Sequence, residues 1–567
     1  MLNVFRSSAA AFEHDAERAD TVYTDDELRR IADAGFNAVW IRTIYRELLR
    51  NPRYPSFGED SARLLRNLNT VVERGAKHGV RLVIYNQEPF GLRADSPFWN
   101  EHPEMGGTVW DHDFGVGDDH FHMRAMCVSS EPVRDYLRDS SAQLLESVPG
   151  IAGLITISAS EFMSHCYSHH GRTSQGRVAC PRCAERTAAD VVVDVLNCMR
   201  DGMDRVDPAV PLVAWNWSWI LYEDDPQPNI INRLRPHTSI QADFERGDWI
   251  TDPYGQQVEI NEYSLSYVGP SKRFRDVREL AREQERPVYA KLQIGTTHEI
   301  ASVSNLPLIT RLLGKTSEFK KLGLAGFMGC WNFGTMLTLN TRAFNFFLSD
   351  TCPESEHDAL QMLAANEFPG ADLSGVLAAW EGFGEAFDYY PFSIPFLYMS
   401  PINYSVALPM HPCPYAPGQR IKRSWLMDPR DDNDDPSSSF GPFTPEQIAE
   451  RLDRLAELWS RALKVYAAAL EGATGEAARE ELSVARCIDV CMRSVRNYYR
   501  LHLLKREWND AMLQPFLEIV RDEIQVVEDA IPLYEADERQ GFHIEAQGSM
   551  VTPELMREKL ELLQAYL

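Results

Sequence analysis

Carboxylates, amides and indoles recur where short apolar runs of this chain end. Ser160 and Glu161 follow "GLITIS" (153–158), Asp243 closes "TSIQAD" (238–243) with Glu245 just after it, and His298 and Glu299 follow "PVYAKLQIG" (287–295). Asn86 and Glu88 sit at the end of "RLVIYNQ" (81–87), Arg42 and Tyr45 in "AVWIRTIY" (38–45), Trp215 and Trp217 in "PLVAWNW" (211–217), and Trp331 and Asn332 in "GFMGCWNFG" (326–334). Any one of these residues is what a strand end facing water carries. As a set they suit a hydroxyl-rich ligand: rings cover C–H faces, amides and carboxylates bind hydroxyls, and two carboxyl groups run acid/base chemistry on a glycosidic bond.

Glu161 is the candidate general acid. It follows an apolar run, has Phe162 and Met163 beside it and no cation nearby in sequence, so desolvation can raise its pKa. Asp243, which ends its run directly, ranks ahead of Glu299 as its partner. Arg42, Tyr45, Asn86, Glu88, Ser160, Trp215, Trp217, Glu245, His298, Trp331 and Asn332 are the candidate ligand contacts.

A second group is "HCYSHHGRTSQGRVACPRC" (165–183). Cys166, Cys180 and Cys183 with one imidazole, His165 or His169, can complete a tetrahedral structural zinc. Such a closed set leaves no coordination position for chemistry; its job is to stiffen the loop after the fourth run, and the reaction itself needs no cofactor. Cys127, Cys198, Cys330, Cys487 and Cys491 are isolated in apolar stretches and read as reduced core thiols.

The elements that must position these residues follow from periodicity. The runs above, with "LNVF" (2–5), make eight strands, and amphipathic helices lie between them. Thr24 and Glu27 form a capping box that opens a helix closing at Gly35, and "SARLLRNLNTVVERGAKHG" puts Leu64, Leu68, Val71 and Val72 on one face before Gly79. Strands apolar on both faces belong to a parallel sheet covered by helices. Eight such units predict a (β/α)8 TIM barrel, with active-site residues at the C-terminal strand ends. An open doubly wound sheet is the alternative, but no Gly-x-Gly-x-x-Gly loop follows an early strand. The expected domains are a barrel over 1–350, an aromatic and Pro-rich connecting segment packed on it over 351–444, and a mostly helical C-terminal domain over 445–567. Helices are expected at 446–471, 476–505, about 509–535 and 553–565, the first opened by Thr444, Pro445 and Gln447.

Composition narrows the partners. With 57 basic against 83 acidic residues, a formal charge of −26 repels nucleic acid and anionic membranes. No apolar run approaches a membrane span of roughly 20 residues, and "MLNVFRSSAAAFEHD" lacks a signal-peptide pattern, so the expected location is cytoplasmic. The apolar face of the C-terminal helices is explained equally by a homodimer interface or by coverage of the barrel.

On these residues the chain resembles the TIM-barrel glycoside hydrolases, most nearly the β-N-acetylhexosaminidases of glycoside hydrolase family 20 and their distant relatives. That family ends its fourth strand in an Asp-Glu pair, where Glu is the general acid and Asp orients the substrate's 2-acetamido nucleophile. Glu161 matches the Glu, Ser160 stands in place of the Asp, and "TISA" (156–159) replaces the family's His-x-Gly-Gly. The resemblance implies an exo-acting retaining glycosidase acting on a small oligosaccharide or glycoside with a terminal β-linked N-acetylhexosamine. Asp243 or Glu299 then stabilises the acetamido nucleophile or, where the mechanism is not substrate-assisted, the oxocarbenium-like centre. Three other readings remain: a glycosidase for a uronic or sialic acid anchored by Arg42, a hydrolase using a metal at 165–183, and a non-catalytic sugar-binding protein.

Overall fold

The computed structural model describes every residue except 111–112, 114–118, 160–161, 169–177, 332–333, 413, 416–417 and 432. Eight parallel strands close into a barrel: Leu2–Phe5, Ala38–Arg42, Arg81–Asn86, Ile151–Ile157, Leu212–Trp215, Thr238–Asp243, Val288–Leu292 and Gly326–Gly329. Each strand pairs with its neighbour in chain order, and the first closes on the eighth through Leu2↔Gly326 and Val4↔Met328. All eight expected strands are present. Several stop short of the apolar run; after Arg42 the chain turns into the short helix Tyr45–Leu48, whose first N–H is taken by the Glu88 side chain.

The helices start and stop as their end residues dictate. Thr24 accepts from the Glu27 N–H at 3.2 Å, and Gly35 sits at φ 90° after the helix. Ser61–His78 buries Leu64, Leu68 and Val71 and ends at Gly79 with φ 70°, a left-handed turn that costs glycine nothing.

The chain forms two compact units. The first comprises Met1–Phe244, Lys272–Lys291 and Leu324–Met328, and so holds the barrel strands apart from two terminal residues; it also carries a small sheet ordered Leu92–Arg93, Met123–Met126, Gly106–Val109. The second comprises Glu245–Ser271, Leu292–Gly323 and Gly329–Leu567. Its core is built on long helices, Pro445–Leu470, Glu476–Arg506, Leu513–Ala536 and Pro553–Gln564. Thr444 and Gln447 cap the first of these reciprocally, and Trp459 on it stacks against Phe383 with ring centroids 4.1 Å apart. Among the described residues, no helix is long and apolar enough to cross a membrane.

Candidate active site

Strand pairing decides which side chains reach the barrel interior, because partners on neighbouring parallel strands share a face and successive residues alternate. The amide of Gln241 on the sixth strand approaches the Met328 sulfur on the eighth at 3.9 Å. These strands are not neighbours, so their contact marks the inner face. Trp215 pairs with Gln241, Asp243 lies two residues further along the same face, and Asp243 pairs with Lys291. Ile157 pairs with Trp215, and the row Ile155, Tyr85, Arg42 shares its face. Arg42, Tyr85, Trp215, Gln241, Asp243 and Lys291 therefore point inward at the C-terminal ends of their strands.

Asp243 is 1% exposed, and its Oδ1 accepts the Trp215 indole N–H at 3.1 Å. Arg6, one residue past the first strand, lies over the Trp40 ring at 4.6 Å and pairs with the buried Asp15 at 3.1 Å. Burial is the largest influence on Asp15 and pushes its carboxyl up, against the pull of Arg6. Arg42 stacks on Phe12 at 4.5 Å, and its Nη1 donates to the Phe12 carbonyl at 3.4 Å. The inner Gln241 is wholly buried, and its Oε1 has no hydrogen-bond partner among the described residues. A ligand hydroxyl would satisfy it.

Several residues expected at the site do other work. Asn86 pairs with Thr156 and Thr156 with Ala214, which places them on the opposite face from Trp215, toward the helices. Tyr45 is a core residue: it is wholly buried, and its hydroxyl bonds to Ser141 at 3.0 Å. Glu88 spends both oxygens on backbone donors, Tyr45 N at 2.6 Å and Phe90 N at 3.0 Å. Burial pushes its carboxyl up to about 7.

In the second unit Glu299 accepts from Leu265 N at 2.8 Å, Ser266 N at 3.2 Å and the Thr297 hydroxyl at 2.9 Å, which fastens the loop 264–266. Burial raises its pKa. Glu245 makes a fully buried ion pair with Lys315 at 2.6 Å and accepts Gln293 N. His298 bonds through Nε2 to Glu545 and packs edge-on to Tyr263 at 4.5 Å. Trp217 and Trp331 are half-buried. Glu161, Ser160, Asn332 and His169 lie outside the described residues.

With this geometry in place, comparison with known proteins gives a fold. No protein-family model matches the sequence, and no curated protein matches it. Among solved structures, a GH138 enzyme targeting pectin rhamnogalacturonan II matches 100% of this chain and 66% of its own, with TM-score 0.56 and 10% identity. The chain thus spans just under two thirds of that protein's length. A GH36 α-galactosidase from Geobacillus stearothermophilus matches 61% of this chain and 41% of its own at TM-score 0.34 and 14% identity. The Pseudomonas stutzeri endoglucanase Cel5A matches 62% and 93% at TM-score 0.35 and 10% identity. The first of these likenesses shows a shared fold, the (β/α)8 barrel followed by helices. Nothing in these likenesses singles out family 20.

A cavity of about 480 Å³ opens beside the ends of the first two strands, lined by Glu13, Asp15, Glu17, Glu47, Glu59 and Asp60 against Arg42 and Arg46. This excess of carboxylates repels an anionic ligand. Away from it, Cys166, Cys180 and Cys183 come together as expected, but the fourth group is the thiol of Cys127 and not His165. His165 is wholly buried, its Nδ1 accepting Tyr167 N at 3.0 Å. Cys127 is thus no isolated core thiol.

Arg6, Tyr85, Gln241 and Lys291 carry a weaker signal in the sequence, Arg6 lying just past the first strand and the other three inside their runs. Counting back in twos from Asp243 along its strand would have found Gln241.

Proposed function

We propose that this chain is a glycoside hydrolase whose chemistry takes place at the inner C-terminal mouth of the barrel. The observation that carries the reading is Asp243, buried on the inner face, oriented by the Trp215 N–H and paired in register with Lys291. A carboxylate so placed can serve as nucleophile or as partner to the positive charge that develops at the sugar ring. Glu161, four residues beyond the end of the fourth strand, is the proposed acid for the leaving oxygen. Glu299 is set aside, since its oxygens are occupied by loop donors. The likeness to a GH138 enzyme, which covers the whole of this chain and 66% of that one, supports the reaction class.

For the sugar, a terminal β-linked N-acetylhexosamine is the first reading, resting on Glu161 after the fourth strand. A uronic or sialic acid is the second, in which the inner-face Arg42 would exchange Glu13 for the sugar carboxylate. A panel of aryl glycosides decides between them. Release of the aglycone from a β-N-acetylhexosaminide supports the first, and release from a uronide or sialoside alone supports the second. Asp243→Asn should lower kcat on the accepted substrate by roughly 10²–10⁴-fold while thermal unfolding stays cooperative. Binding of sugars with no hydrolysis by the wild type would make the chain a lectin-like protein and defeat the proposal.

A further inference from the structure

The four thiols of Cys127, Cys166, Cys180 and Cys183 lie outside the proposed chemistry and are at most 3% exposed. All four sulfurs lie within 4.8 Å of one another; Cys127 Sγ is 3.5 Å from that of Cys180 and 3.6 Å from that of Cys183. A disulfide would bring two sulfurs to about 2.05 Å and leave the others aside. Four sulfurs each about 2.3 Å from a central ion, at tetrahedral angles, stand roughly 3.8 Å apart. The observed spacing is that of the second arrangement.

We propose that these four cysteines bind one structural zinc ion. The cysteines come from three places in the chain. Cys127 directly follows the short strand Met123–Met126, Cys166 lies in the segment after the fourth barrel strand, and Cys180 and Cys183 flank the first turn of the helix Pro181–Ala184. Donors surround the sulfurs as a thiolate site requires. Thr108 N points at Cys166 at 3.4 Å, Arg182 Nε at Cys127 at 3.4 Å, and the Ser129 hydroxyl lies 3.3 Å from Cys183. Arg182 also offsets part of the negative charge that four thiolates carry in excess of a divalent ion. Gly107 has no side chain for a steric reason: a Cβ there would collide with the Cys166 sulfur. With four protein ligands the ion has no open position, so it staples the inserted sheet to the segment after the fourth strand and takes no part in hydrolysis. The proposal is independent of the glycosidase reading.

The test uses the full chain, purified without metal-affinity resin and without chelator, with metals measured by inductively coupled plasma mass spectrometry. About one zinc per chain is expected. Cys127→Ser should lower zinc content at least tenfold, whereas Cys198→Ser, which alters a buried cysteine outside the set, should leave it unchanged. If Cys127→Ser fails to fold, the wild type expressed in cobalt-supplemented medium serves instead. Tetrahedral tetrathiolate cobalt gives intense ligand-field bands in the red and sulfur-to-cobalt charge transfer in the near ultraviolet. Wild type without metal, iron in place of zinc, undiminished zinc in Cys127→Ser, or cobalt protein without those bands would each overturn the proposal.

Discussion

At the scale of single residues, the structure separates carboxylates that follow strands by where they stand and what holds them. Asp243 stands on the inner face of the barrel and accepts the Trp215 N–H. Glu299, Glu245 and Glu88 are ligated by the protein's own N–H groups or by Lys315, and each of them organises a loop. The difference is invisible in sequence, because all four are acids following an apolar run. The backbone donors to Glu299, Leu265 N and Ser266 N, lie on a separate loop that no local spacing links to it. Its replacement discriminates the two roles. Glu299→Gln keeps the shape, but its NH2 group faces backbone donors that then lose their acceptor. The cost should be about 1–3 kcal/mol of unfolding free energy in urea titrations, with kcat of the folded fraction close to that of wild type. A large fall in kcat with unchanged stability would return Glu299 to the chemistry and displace Asp243.

At the scale of elements, the strands were readable because a barrel strand buried on both faces must be largely apolar, as Ala38–Arg42 is up to its terminal arginine. Their inner and outer faces were not readable for the same reason: without polar alternation, nothing in "RLVIYN" says that Tyr85 faces inward and Asn86 toward the helices. Cys127 was unreadable as the fourth thiol of the cluster because it precedes the Cys180-Pro-Arg-Cys183 pair by two intervening elements, the helix Glu131–Ser147 and the fourth strand. The Glu88 clamp, which ties the end of the third strand to the helix after the second, makes a pH prediction. Its folded-state pKa, about 7, stands above the ordinary 4.5 because burial disfavours the charge. Its contribution is most favourable below pH 4.5 and is lost as pH rises to about 7, by at most ~3 kcal/mol. Above that range the folded state carries a buried carboxylate that the unfolded chain would solvate. The slope of unfolding free energy against pH over this interval should therefore be less negative in Glu88→Gln than in wild type, whatever the absolute stability of the variant. Equal slopes would mean that the carboxyl titrates normally in the folded protein.

At the scale of the molecule, the loops after the sixth and seventh strands belong to the same compact unit as the C-terminal helices. Within that unit the connection is through buried polar contacts. Tyr390 donates to the Glu299 carbonyl at 2.8 Å, Ala301 N to Asn403 Oδ1 at 2.6 Å, Gln540 Nε2 to Ser304 Oγ at 3.1 Å, and Arg451 Nε to Asp252 at 2.8 Å. A chain cut at residue 350 keeps both loops but loses every one of those C-terminal partners. It takes the Asn403 acceptor from Ala301 N and the Arg451 donor from Asp252, each such loss costing about 1–3 kcal/mol where the group stays buried, and exposes the apolar surface the removed helices covered. Against a typical net stability of about 5–15 kcal/mol, the lost contacts take a substantial share, and the exposed apolar surface drives association of what remains. The fragment 1–350 should accordingly be recovered as aggregate, or as a species that binds a hydrophobic dye and melts without a cooperative transition in near-ultraviolet circular dichroism. A soluble fragment with a sharp transition at the temperature of the full chain would show that those two loops hold their conformation without the C-terminal helices.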